Sequence, residues 1–280
     1  MAKLALKGGE PVWKGPAPQW PVYDDRERKA LEAVLVSRNW GGFPEPNTHA
    51  KLFAEKFAAF QDAKHGIACA NGTVTLEACL RAAGIKAGDE VVTTPYTFVA
   101  TAGACVALNA VPVFADIDPD TFCLSPEAVE AAITPRTRAV IPVHLGSTIA
   151  DLDRLKEICA KRKLTLIEDC AHAHGGKWRG KGVGSHGDFG SFSMQSSKIM
   201  TGGEGGVVTV NDDLLAQRVH SFINCGRKET GYNDFEGEIL GANYRITEWS
   251  AAVLLCQLER LPEQTRVKKA NLDLLAAAIE

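Results

Sequence analysis

The sequence predicts an α/β protein with a mainly parallel mixed sheet covered by helices on both faces. Three observations carry this. Short, near-continuous apolar runs recur along the chain, as they do in strands buried on both faces. Between them lie stretches of helical pattern with good start signals. From Gly187 the alternation stops, and two strand-like runs follow with no helix between them.

Taken in order, the first 23 residues are rich in Gly, Pro and Trp and read as an irregular arm. GIACA (66–70) reads as a strand that passes through Asn71-Gly72-Thr73 into a helix, with Leu76, Cys79, Leu80 and Ala83 as its apolar stripe and Gly84 closing it. VVTTP (91–95), VPVFADI (111–117), AVIPVHL (139–145) and LTLIEDCA (164–171) are further strands. Ser125 followed by Pro126, and Asp151 before LDRLKEICAKR, are helix starts. DFGSFSM and GGVVTVN are the two strands that follow directly. From Thr247 a long helical pattern runs to Glu280 without a cap, and the expectation is that a C-terminal portion is missing.

A chain of 280 residues with 45% hydrophobic and 23% charged content is an ordinary globular protein. A net charge of −3 gives no footprint for nucleic acid or an acidic membrane. No apolar run approaches membrane-spanning length, and MAKLALKGGEPVWKG lacks the apolar core of a signal peptide. Eight scattered cysteines without a C-x-x-C pair read as reduced thiols, so a cytoplasmic protein is expected.

The glycines need sorting. GGKWRGKG (175–182) matches G-x-x-x-x-G-K, but Gly182 stands where a phosphate loop needs Ser or Thr for magnesium. GGEGG leads into a strand, so it is no dinucleotide fingerprint. Ala70-Asn71-Gly72-Thr73 is the better anion site: it joins a strand end to a helix start, where free N–H groups and the helix dipole face outward. An ordinary helix cap by Asn71 or Thr73 is the plainer alternative. In IEDCAHAHGG (167–176), Asp169 sits at the carboxyl end of a strand, where ligands bind in open α/β sheets and where a carboxylate suits a cationic ring nitrogen. The alternatives are a turn residue or, with His172 and His174, a metal site. Lys198 lies in SFSMQSSKIMTGGEGG beside Ile199 and Met200. Desolvation there would lower its amine, as a Schiff-base lysine requires, while Ser193, Ser196 and Ser197 suit phosphate oxygens. A lysine snorkelling from a strand edge is the bland reading. An anion site, a strand-end acid and a lysine in a glycine-rich turn together are the three contacts pyridoxal phosphate needs.

These residues resemble the DegT/StrS sugar and cyclitol aminotransferases, of aspartate-aminotransferase (type I) fold. The resemblance runs through NGTVTLEACLRAAGI, GDEVVTTPYTFVATAGA, VPVFADIDPDTFCLSPEAVEAAIT, LIEDCAHAHG, GSHGDFGSFSMQSSKIMTGGEGG and GANYRITEWSAA. It implies a pyridoxal 5′-phosphate-binding large domain over 24–245, after the arm of 1–23, with 246–280 a long helix leading to a small C-terminal domain. It implies that Lys198 holds the cofactor as a Schiff base and that Asp169 keeps the pyridine nitrogen protonated. Phe98 would stack on the ring and His172 would lie at its edge, while Gly72, Thr73 and Ser193 would take the phosphate. Asn243 would reach the phosphate of a neighbouring subunit, which implies a homodimer with shared active sites. SMQSSK, with Gln195, and HLGSTIADLD lean towards the scyllo-inosose aminotransferases. The implied reaction moves an amino group from glutamate or glutamine to a ketone on a sugar or cyclitol ring.

Rival readings follow from the same residues. Dehydratase relatives put histidine in place of the lysine, so Lys198 argues against them, whereas an aromatising synthase keeps it. A silent subunit would keep the fold without the chemistry. A hydrolase using His172 and His174 would require bound zinc.

Overall fold

The apolar runs become the strands of one seven-stranded sheet. The computed structural model describes residues 3–42, 47–228 and 240–279. After an irregular segment with a single 3₁₀ turn, Ala5–Lys7, come α1 (Asp25–Ser37) and α2 (Thr48–Phe60). Strands and helices then alternate: β1 (His65–Cys69), α3 (Gly72–Ala82), β2 (Glu90–Thr93), α4 (Ala100–Ala107), β3 (Val111–Phe114), α5 (Pro126–Ala132), β4 (Thr137–Ile141), α6 (Leu152–Arg162) and β5 (Thr165–Asp169). A hairpin of β6 (Lys177–Trp178) and β7 (Lys181–Gly182) precedes β8 (Phe189–Ser193), β9 (Gly206–Val210), α7 (Asp213–Ile223) and α8 (Glu248–Ile279). Glu280, to which the last helix was expected to run, lies outside the described residues.

The start signals act as expected. Ser125 Oγ accepts from Ala128 N with Pro126 at the first helical position, and Asp151 accepts from Arg154 N. Asp24 and Glu27 close a reciprocal capping box on α1. GGKWRGKG is the β6–β7 hairpin, turned by Arg179 and Gly180 at φ 48° and 86°, so its glycines serve a tight turn and not a phosphate.

The sheet order is β1-β9-β8-β5-β4-β2-β3. All neighbours from β8 to β3 are parallel, and β9 is antiparallel to both β8 and β1. The carboxyl ends of β1, β5 and β8 therefore open on one edge. Burial on both faces explains the unbroken apolar runs: in β9, Val208 packs with α3 and α7, and its neighbour Val207 packs with α2 and α8. Covering fails at the edge strand β3, where Val111 and Phe114 are exposed. In α8, Ala251, Leu254, Leu258 and Leu261 are buried, and the helix continues past Pro262 with a largely exposed surface. All eight cysteines are free thiols and six are buried. Among the described residues no helix is long and apolar enough to cross a membrane.

Candidate active site

The site gathers where β5 and β8 end. Asp169, the last residue of β5, is buried, and its Oδ2 accepts from Thr101 Oγ1 at 2.9 Å while Oδ1 accepts from Ala171 N at 3.2 Å. Burial pushes this carboxyl above its ordinary range, and the Thr101 hydrogen bond works against that push. An ionised carboxylate has about four acceptor positions, so Asp169 keeps capacity for a cationic partner.

Its neighbour Glu168 is committed elsewhere. Pointing to the other face, it accepts from His144 Nε2, Gly184 N, His186 N and Gly187 N at 2.7–3.1 Å. Burial pushes Glu168 up, but the His144 ring and these amides outweigh it and hold the carboxyl below its usual range. His144 Nδ1 accepts from Ala150 N, so the ring proton sits on Nε2. His144, Glu168 and Cys170 are close enough to share a metal ion, yet His144 and Glu168 already have hydrogen-bond partners, and burial pushes the Cys170 thiol well up. Among the described residues, His172 and His174 are not part of this group.

Lys198 follows β8 through a turn closed by Lys198 N donating to Gln195 O at 2.9 Å. The side chain is half-buried; desolvation pushes its amine down, and the Asp169 charge pulls it partly back. His172 is pushed down by burial and then by the Lys198 charge, so lysine, aspartate and His172 share one electrostatic field. Ser197 departs from expectation: its Oγ donates to Gln195 Oε1 at 2.7 Å and braces the turn, while Ser196 Oγ accepts from Gln195 Nε2 at 2.8 Å and keeps its own O–H.

The anion corner lies one strand over. Cys69 and Ser193 both pair with Gly206, and a Cβ on Gly206 would stand 2.6 Å from the Asn71 carbonyl. A Cβ on Gly72 would stand 2.5 Å from Ser193 Cβ. Two glycines thus let the start of α3 close onto the end of β8. Asn71 Oδ1 caps the helix by accepting from Thr73 N and Val74 N, which leaves the Gly72 N–H and the Thr73 and Ser193 hydroxyls for an anion. The plainer of the two sequence alternatives is met here by Asn71, which is the cap.

Phe98 lies between β2 and α4 and is 69% exposed, presenting an open ring face. His174 is buried, donates from Nε2 to Ser193 O at 2.8 Å, and packs edge-on to Phe57 and Phe192. Asn243 is exposed, on the segment whose Tyr244 carbonyl accepts from Ala70 N at 2.8 Å beside the anion corner.

A half-buried amine, a buried acid with spare acceptors and a helix start held against Ser193 fit pyridoxal 5′-phosphate at aldehyde, ring nitrogen and phosphate. Residues 21–280 match the model of the DegT/DnrJ/EryC1/StrS aminotransferase family. The chain belongs to that family. Pyridoxal phosphate is the family's cofactor. A protein of Streptoalloteichus tenebrarius, provisionally named L-glutamine:3-amino-2,3-dideoxy-scyllo-inosose aminotransferase, is 52% identical over 99% of this chain and 67% of its own length. The L-glutamine:2-deoxy-scyllo-inosose aminotransferase of Streptomyces kanamyceticus is 43% identical, covering 99% of this chain and 68% of its own. Among solved structures, 3-amino-5-hydroxybenzoic acid synthase superposes with a TM-score of 0.85 at 40% identity, over 92% of this chain and 67% of that one. The chain spans about two thirds of the length of these relatives.

Sequence reasoning singled out Lys198, Asp169 and His172, which the fold brings together, and Gly72, Thr73 and Ser193, which line the anion corner. It missed Thr101. TPYTFVATAGA carries Thr97 just before α4 and Thr101 in its first turn, with hydroxyls that meet at 2.8 Å, but nothing local says that they reach β5.

Proposed function

We propose that this chain is a pyridoxal phosphate-dependent aminotransferase moving an amino group from glutamine to a keto-cyclitol of the scyllo-inosose class. The observation that carries the chemistry is the shared field of Lys198, Asp169 and His172 at the sheet's carboxyl edge. The names of its scyllo-inosose relatives support the donor and the acceptor class. Asp169 would hold the ring nitrogen protonated, Phe98 would cover a ring face, His172 would stand at the ring edge, and Gly72, Thr73 and Ser193 would bind the phosphate. The bound cofactor supplies the electron sink. Lys198 Nζ, its amine already depressed, is the base that lifts the donor's α-proton and the acid that holds it for return.

The same reading makes residues 24–245 the cofactor-binding unit, with the arm of 1–23 before it and the helix of 246–280 leading onward. It makes the enzyme a cytoplasmic homodimer in which Asn243 reaches the partner's phosphate. Tyr96, Phe98, Val99, Phe114 and Phe122, all more than half exposed, support an apolar contact beside the site. An aromatising synthase is the second reading, favoured by the 40% identity to 3-amino-5-hydroxybenzoic acid synthase.

Borohydride reduction of the protein with pyridoxal phosphate, followed by peptide mapping, tests the core claim: the pyridoxyl group is expected on Lys198, and an adduct elsewhere overturns it. Incubation with glutamine and 2-deoxy-scyllo-inosose separates the two readings, since an aminocyclitol product supports the transaminase and an aromatic one the synthase.

A further inference from the structure

The N-terminal arm touches the lysine turn through one hydrogen bond. Trp20 Nε1 donates to the Ser196 carbonyl at 2.8 Å, across 176 residues of sequence. Ser196 lies two residues before Lys198, in a turn whose other ties are local: Gln195 Oε1 accepts from Ser197 N at 2.8 Å and from Ser197 Oγ at 2.7 Å. Ser196 and Ser197 face solvent, so packing does not fix this stretch. The indole, by contrast, has a second contact beyond the turn. The Lys268 ammonium of α8 stands 4.9 Å from its ring centroid. Two residues on, the Val22 carbonyl accepts from Gln257 Nε2 at 2.8 Å and Arg260 Nη1 at 3.1 Å, and both of those side chains also bind the buried carboxylate of Glu27. The arm is thus anchored on α8 and α1 at one end of this stretch and meets the turn at the other.

We propose that Trp20 is a positioning residue for Lys198: its indole N–H clasps the Ser196 carbonyl and so fixes where the lysine amine stands in the site. The groups that interact by charge with Lys198 are Asp169 of β5 and His172 and His174 just after it. Lys268 faces the indole. Without the clasp, the turn keeps its Gln195 bonds, but its exposed residues lose their one tie to the arm. The lysine then spends more time turned outward, where its amine regains water and behaves as an ordinary lysine. The inference rests on Lys198 being the cofactor lysine.

The test compares the full chain with Trp20→Phe and with Trp20 replaced by 3-benzothienylalanine, which keeps the indole's shape and lacks its N–H. In cofactor-free protein, Lys198 is titrated by competitive acetylation with peptide mapping. With cofactor, the apparent dissociation constant for pyridoxal phosphate is read from the borohydride-trapped adduct on Lys198. Both replacements are expected to move the labelling midpoint up towards an ordinary lysine and to raise the dissociation constant about five-fold, the equivalent of one net hydrogen bond. A lower unfolding temperature with the midpoint and the constant unchanged would mean a merely structural tryptophan and overturn the clasp. If the unsubstituted chain traps no adduct on Lys198, the functional reading fails and the clasp with it. An adduct there that is indifferent to the indole N–H sinks the clasp alone.

Discussion

The hydroxyl of Thr101 donates to Oδ2 of Asp169 at 2.9 Å, reaching from the first turn of α4 to the last residue of β5. Thr101 Oγ1 also meets Thr97 Oγ1 at 2.8 Å, so a short chain of hydroxyls ends on the acid assigned to the ring nitrogen. Burial alone would favour the protonated acid, which cannot pair with a cationic ring.

Thr101→Val keeps the shape and removes the donor, so Asp169 is pushed further up and less of it is ionised at neutral pH. A hydrogen bond to a charged group is worth about 1.5–3 kcal/mol, and the affinity for pyridoxal phosphate is expected to fall by about ten-fold or more. Raising the pH restores the ionised form, so the deficit shrinks under alkaline conditions. Spectral titration of the cofactor at neutral and alkaline pH checks both points, and Thr101→Ser is expected to recover most of the loss.

Gly72→Ala places a methyl group 2.5 Å from Ser193 Cβ and 2.9 Å from Ser193 Oγ. Something must shift, at a cost of about 1–3 kcal/mol, and what shifts is the anion corner. Both the unfolding temperature and the cofactor affinity are expected to fall. Gly84→Ala is the contrast: its methyl meets open space, but its φ of +78° disfavours any side chain. It is expected to cost about 1 kcal/mol and to leave the affinity alone. Equal affinity losses in the two variants would refute the close-approach account.

Glu168→Gln turns an acceptor of four hydrogen bonds into a group with one acceptor end and one donor end. At least one of the pairs of N–H groups, His144 with Gly184 or His186 with Gly187, then faces a donor. The expected destabilisation is about 3 kcal/mol, from stranded buried groups. Because the folded carboxyl is held below its usual range, its contribution is present above a pH of about 4.5 and is lost as pH falls further. Urea unfolding across that range measures it.

Much of this fold was legible because the strands are buried on both faces and so read as unbroken apolar runs, and because Ser125, Asp151 and Gly84 mark helix ends by local chemistry. Asp169 could be read as a site residue since it ends a strand, where open α/β sheets bind ligands, and Lys198 since it lies between apolar neighbours in a glycine-rich turn. What local sequence does not carry is which strand ends become neighbours. Thr101 meets Asp169 only because α4 starts over β5, and Trp20 meets Ser196 only because α8 holds the arm down. Ser197 misled in a different way: a hydroxyl beside the lysine suits a phosphate, until Gln195 of the same turn accepts its hydrogen bond.

His174 gives the sharpest pH signature. Burial pushes its imidazole down from 6.5 to about 4, and its Nε2–H donates to Ser193 O at 2.8 Å. Its Nδ1 is buried with no hydrogen-bond partner among the described residues, so a second ring proton would have nothing to meet. The unfolded chain takes up that proton near its ordinary pKa and the folded one resists it. Stability is therefore full above a pH of about 6.5 and is lost as pH falls towards about 4, by about 3 kcal/mol in total. Glu168 acts in the same direction from a pH of about 4.5 downward, and Asp169, pushed up, acts in the opposite sense. Comparing the chain with His174→Gln, which retains an N–H for Ser193 O, cancels both carboxylates. The difference in unfolding free energy is expected to move in the variant's favour by about 3 kcal/mol between neutral pH and pH 4. Parallel stability curves would mean that the ring is already protonated in the folded protein, and the role given to it as a neutral donor to Ser193 would fail.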